Sequence, residues 1–322
     1  MKRSIIIVMA LAGAFAGLAA GAAAPEFGPW SAAVNVQSIP GTDPALNTEF
    51  LDGCPTLARD GRTLFMASNR PDGKGLLDIW VASRESADAP WGEPVNVGWP
   101  VNTEADEFCP SPARDGHLFF FVSTRPGGCG GSDIWVTRRR SDQLGWDEPI
   151  NLGCHLNSAG NEASPFLIEE RGAGPVLYFS SNRAGGYAPD APGAIIGDDD
   201  IYVSESHGGI LGPRELVRGV NSASNDSRPN LRRDGLELFF DSTRGGPGTQ
   251  GGADIFSSTR TGVFDPWSNP APLGPLVNSA LADTRASLSW DGTTLVFGSN
   301  RAGGEGSTDV YVATRVPVNG GP

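Results

Sequence analysis

Five carboxylates occupy one repeated position in this chain: Asp52, Glu107, Glu162, Asp226 and Asp283. Each lies five residues after an asparagine: Asn47, Asn102, Asn157, Asn221 and Asn278. Acids that open five equivalent strands near a channel mouth have two chemical uses. They can offer oxygen ligands to a cation such as Ca²⁺, or supply an acid/base pair for glycoside cleavage. The plainer use is structural, each acid pairing with an arginine or accepting from a loop amide. A feature present in every copy is architectural first.

Departures from the repeat say more about chemistry. Two positions after the acids stand Cys54, Cys109, Ser164, Arg228 and Arg285. The two arginines can take an anionic group of a ligand, or pair with the acids themselves. The third copy carries a long loop, Ala184 to Asp199, with Tyr187, Ile195, Ile196, Asp198 and Asp199. Loops longer than the repeat requires concentrate binding residues, so this one is the expected partner contact.

The four cysteines, Cys54, Cys109, Cys129 and Cys154, fall on one rim within the first three copies. Exported thiols usually pair, and four allow three connectivities. The favoured one joins Cys54 to Cys109, at equivalent positions, and Cys129 to Cys154; buried free thiols are the alternative. No Cys-x-x-Cys is present, and His117, His155 and His207 are scattered, which argues against zinc. There is no nucleophile elbow and no phosphate loop. The expectation is no catalytic residue and no cofactor, with Ca²⁺ the one candidate metal.

The elements that must position these groups follow from the repeat. Each copy has a Ser-Asn/Thr-Arg triplet, ending at Arg70, Arg125, Arg183, Arg244 and Arg301, at steps of 55, 58, 61 and 57 residues. Glycines follow, then Asp-Ile/Val-aromatic, starting at Asp78, Asp133, Asp200, Asp254 and Asp309. Each triplet arginine and its following aspartate flank one hairpin loop and are expected to form an ion pair or a loop hydrogen-bond network. Short strands with Asp-Gly turns at this period predict an all-β, five-bladed propeller of four-stranded antiparallel blades. The last copy stops after its third strand, and Trp30 to Gln37 reads as a fourth. The N-terminal strand should therefore complete the last blade and remove a free edge.

Residues 1–24 read differently. Lys2 and Arg3 precede an apolar run and then small residues, the pattern of a secretory signal peptide cut after Ala22. The expected organisation is signal 1–24, one propeller over 25–317 and a tail over 318–322. No other stretch could span a membrane, so a periplasmic or secreted monomer is expected. A net charge of -13 excludes nucleic acid as a natural partner.

The pattern Asn-Ser/Thr, Asp/Glu-x-x-Pro, Asp-Gly, Ser-Asn/Thr-Arg, Gly-Gly and Asp-Ile-aromatic resembles the WD40-like repeat of bacterial TolB-type propellers. The resemblance covers nearly all of residues 30–315. It implies the fold and a role in binding partners, with five copies here against six in TolB. Similar repeats occur in envelope proteins with an OmpA-like domain, which this sequence lacks. Repeat regularity points to a non-catalytic scaffold that docks a protein or an envelope glycan on the channel-mouth rim. The alternative is a carbohydrate-active hydrolase using carboxylates at the central channel.

Overall fold

The computed structural model describes residues 26–139, 145–170, 174–188, 190, 194, 196–207 and 210–318. The expected signal segment, Ile195 and residues 319–322 lie outside them. Twenty strands form five separate four-stranded sheets, the blades of a propeller. Blade one holds β2 (Asp52–Leu57), β3 (Thr63–Ser68), β4 (Asp78–Ser83) and β5 (Val95–Asn96). Blade two holds β6 (Glu107–Pro112), β7 (Leu118–Ser123), β8 (Asp133–Arg138) and β9 (Ile150–Asn151). Blade three holds β10 (Glu162–Glu170), β11 (Gly174–Arg183), β12 (Ile196–His207) and β13 (Ile210–Leu216). Blade four holds β14 (Asp226–Leu231), β15 (Glu237–Ser242), β16 (Asp254–Thr259) and β17 (Ala271–Pro272). Blade five joins β18 (Asp283–Leu288), β19 (Thr294–Ser299) and β20 (Asp309–Thr314) to β1 (Val34–Asn35).

The ring closes as the repeat predicts. Val34 pairs with Val312 and Asn35 with Tyr311. Arg315 secures this latch: its guanidinium donates two 2.7 Å bonds to Glu237 and stacks 3.9 Å from the Phe27 ring. The outer strands are shorter than the sequence suggests, with two paired residues in every blade but the third. Prolines such as Pro94, Pro149 and Pro272 remove ladder donors there, and short edges resist pairing with other chains.

The apolar core lies between blades. Phe65 and Ile79 of blade one meet Phe119 and Phe121 of blade two. The same layer recurs as Phe120 against Phe179, Tyr178 against Phe240, Phe239 against Phe297, and Met66 against Val296. Alternating side chains of each sheet thus face two neighbours, which makes every blade apolar on both faces. The opening asparagines clamp the same interfaces. Asn102 accepts from Ile79 N at 2.9 Å and donates to Ile79 O at 2.8 Å, standing in for a strand residue. Asn47 does this to Val310 and so joins the first blade to the last.

A glycine wedge completes four of the five interfaces. A Cβ on Gly75, Gly130, Gly251 or Gly306 would collide with backbone of the next blade's opening loop. In blade three the corresponding Gly197 meets the Asp190 side chain of its own loop instead. The regular wedges have no room for a methyl. We expect Gly130→Ala to lower unfolding free energy by about 1–3 kcal/mol in urea melts. Gly245, which has nothing within 4 Å of its built Cβ, should change to Ala within about 0.5 kcal/mol. Equal effects of the two changes would refute the wedge.

Candidate active site

The five repeated acids are fully buried, each at 0% exposure. Glu107 and Glu162 pair with Arg125 and Arg183 at 3.1 and 3.0 Å, and Asp52, Asp226 and Asp283 pair with Arg70, Arg244 and Arg301. The same acids accept backbone N–H from the residue after the opening asparagine, as Thr48 and Thr103 show at 2.6 Å. Each arginine also binds its triplet serine: Nε donates to the Ser68, Ser123, Ser181, Ser242 and Ser299 hydroxyls at 2.9–3.0 Å. It stacks on the aromatic of the Asp-Ile-aromatic motif, 5.1 Å from Trp80 and 4.7 Å from Tyr311. The acids therefore face arginines and amides rather than the channel. Neither a Ca²⁺ ring nor a catalytic pair can be built from them.

Of the two arrangements expected for the triplet arginine and the aspartate opening the third strand, the loop hydrogen-bond network forms and the ion pair does not. Asp78, Asp133, Asp200, Asp254 and Asp309 instead accept loop N–H groups, from Lys74, Cys129, Tyr187, Gln250 and Gly306 respectively. The other oxygen of Asp133, Asp200, Asp254 and Asp309 is buried without a hydrogen-bond partner. Burial pushes the Asp254 and Asp309 carboxyls up, and that of Asp200 up to about 6. A neutral acid is the cheaper occupant of such a site.

The channel wall is set by a bulge. Every inner strand shifts register there, as between Gly53 and Thr56 or Ser227 and Asn230. Cys54, Cys109, Ser164, Arg228 and Arg285 sit at that bulge with φ between 47° and 60°. Left-handed backbone costs an L-residue about 1–2 kcal/mol, and bulges re-aim side chains. On blades one and two the re-aimed residues form the Cys54–Cys109 disulfide, Cα–Cα 5.1 Å. Cys129 and Cys154 form a second, at 5.5 Å. On blades four and five the bulge aims two arginines at the channel.

A cavity of about 220 Å³ opens beside Arg228, at the irregular interface of blades three and four. Asp199, Asn225, Ser227, Asp241 and Thr243 line it. Arg228 Nη1 donates to Asp241 and, at 3.1 Å, to Ser227 Oγ. Asp241 also accepts Arg285 N at 2.8 Å. Arg285 makes no ion pair among the described residues; its Nη1 donates to Thr284 Oγ1 at 3.2 Å. The neighbouring Arg228 cation, then burial, lowers the Arg285 pKa to about 9. Burial raises the Asp199 carboxyl, Arg228 opposes this, and Asp241 adds to it. The mouth thus holds two carboxyls and two guanidiniums within electrostatic reach.

Of the residues singled out by sequence, the structure brings Arg228, Arg285 and Asp199 together. Tyr187 stands outside the cavity, 57% exposed, and Asp198 is exposed. Asp198 and Asp199 belong to β12 and not to the long loop, because Arg183 pairs with Ile196 and extends the strand. Asp241 was missed. Its signal lies in the residue before the triplet serine, which is Ala67, Val122, Ser180 and Gly298 in the other copies.

No protein-family model and no curated protein matches the chain. Solved structures do. A GH43_12 protein from a capybara gut metagenome matches over 91% of this chain and 57% of its own, at 15% identity and TM-score 0.55. The α-L-arabinofuranosidase of Podospora anserina, solved with cellotriose, matches over 91% and 98%, at 13% and 0.56. That of Lactobacillus brevis matches over 90% and 98%, at 15% and 0.54. These likenesses establish the five-bladed fold. Arabinofuranosidases, a xylosidase and arabinanases stand among the matches, and the expectation of a non-catalytic scaffold is corrected on that ground. That expectation rested on repeat regularity, which one interface breaks, where Asp199 and Asp241 share a cavity wall.

Asp200 supplies a test of the buried-acid reading. Its folded pKa, about 6, lies above the ordinary unfolded value of about 3.9. The fold therefore binds the proton more tightly, and this contribution is complete below about pH 4 and lost as pH rises through about 6. We expect Asp200→Asn to remove that part of the decline in stability between about pH 4 and 6, read by urea melts. Parallel curves for the two proteins would contradict it.

Proposed function

We propose that the chain is a hydrolase of glycans, with Asp199 and Asp241 as its reacting carboxyls. The observation that carries this reading is their shared cavity wall at the blade three–four mouth, with Asp199 raised by burial beside the ion-paired Asp241. Glycoside cleavage needs one carboxyl that donates a proton to the leaving oxygen and a second that acts as base or nucleophile. Asp199, half-buried and with its carboxyl raised by burial, is the proton donor. Asp241, fixed by Arg228, Ser227 and the Arg285 amide, is the second carboxyl. Arg228 and Arg285 hold substrate oxygens and balance charge at the mouth.

Glycans rich in arabinose and xylose are the substrates to try first, since the matching fold carries arabinofuranosidases and a xylan β-1,4-xylosidase. Two disulfides support work in an oxidising compartment, periplasmic or outside the cell. No described helix is long and apolar enough to cross a membrane. The TolB-like repeat pattern speaks to blade construction and not to activity.

The test is release of sugar from arabinan, xylan and their oligomers. The native protein should release pentose, with a rate that falls on the alkaline side as Asp199 loses its proton. Asp199→Asn should lower kcat by about 10²–10⁴-fold with an unchanged melting profile. No sugar released from any of these substrates, or full activity in Asp199→Asn, would overturn the reading.

A further inference from the structure

A second cavity, of about 740 Å³, lies on the same face as the mouth, between the top loops of blades one and two. Its walls include Lys74, Trp99, Thr103 and Glu104. Trp99 is 66% exposed. An indole this open to water is uncommon, because tryptophan carries the largest apolar surface and is usually well buried. Here it does not sit on a bare apolar patch. The Lys74 ammonium and the Glu104 carboxylate are exposed and make no ion pair or hydrogen bond among the described residues. The floor is rigid: a Cβ on Gly75 would collide with the Ala105 and Thr103 carbonyls, so the two loops are interlocked.

One aromatic face, one donor and one acceptor on a fixed floor describe a preformed polar pocket with few convergent groups. A sugar ring matches it, with C–H groups for the indole face and hydroxyls that accept from Lys74 and donate to Glu104. A charged ligand would meet like charge from one of the two, which favours a neutral one. We propose that this groove is an auxiliary site that holds a neutral stretch of polysaccharide by stacking on Trp99, away from the cleavage mouth. The ligand class rests on the hydrolase reading; the site rests on its own geometry.

The chain offers a direct reporter, since Lys74 is its only lysine after Lys2. Xylohexaose and arabinohexaose are titrated against the full protein carrying Asp199→Asn, so that neither is consumed. Acylation of Lys74 by a succinimidyl ester is followed by mass spectrometry, and affinity by calorimetry. The proposal expects one of the hexaoses to slow Lys74 acylation at least threefold, and Trp99→Ala to weaken its binding at least tenfold. It is overturned if neither hexaose binds, if binding leaves Lys74 acylation unchanged, or if Trp99→Ala binds as tightly. Hydrolysis by the native protein is scored separately. Lost protection with intact hydrolysis defeats the groove alone, and protection without hydrolysis defeats the cleavage mouth alone.

Discussion

Everything in this fold hangs on one buried charge pair made five times. A triplet arginine is held to its serine, stacked on an aromatic and closed against an acid that itself tethers its own blade's opening loop. Arg70 and Asp52 show how enclosed it is, at 7% and 0% side-chain exposure. Taking both charges from water is costly, so such a pair adds little net stability beside an apolar substitute. Removing one partner is another matter and costs about 3–5 kcal/mol, because the other charge stays buried and alone. The pair specifies geometry: it fixes where each top loop sits, and hence what faces the channel.

The repeat breaks where the pair is kept and its surroundings change. Arg244–Asp226 remains intact below the blade three–four mouth, so the scaffold there is as firm as elsewhere. Around it, the glycine wedge is absent, β12 runs longer, and Asp199 and Asp241 replace residues that are mostly apolar or small in other blades. Across the channel the same bulge positions carry a disulfide. One side is locked covalently, and the other presents charged groups on strained backbone. The left-handed backbone is common to all five bulges, whereas the charge is gathered on one side of the channel.

The sequence made the period, the blade count and the latch legible, because each is written as a spacing. It also exposed Arg228 and Arg285 as breaks in the pattern. It did not expose the bulge that turns them to the channel, although a proline inside four of the five inner strands, as in Cys54-Pro55 and Arg228-Pro229, is a known mark of one. Asp241 stayed hidden because it lies in a strand interior, where a single copy of the repeat reads as ordinary core. The ring acids drew attention for the opposite reason: their regularity looks like a site, while their full burial shows structural work. The scaffold expectation rested on that same regularity, which the blade three–four interface breaks.

The most direct test of this account is a carboxyl-carbon NMR titration of the protein labelled at aspartate, with Asp199→Asn to assign the resonance, run with and without an arabinan oligomer. The account predicts that Asp199 titrates above the ordinary carboxylate range and that its midpoint moves when the oligomer is added. An Asp199 midpoint at about 3.9 that ignores the oligomer would contradict it and remove the mouth between blades three and four as the reactive centre.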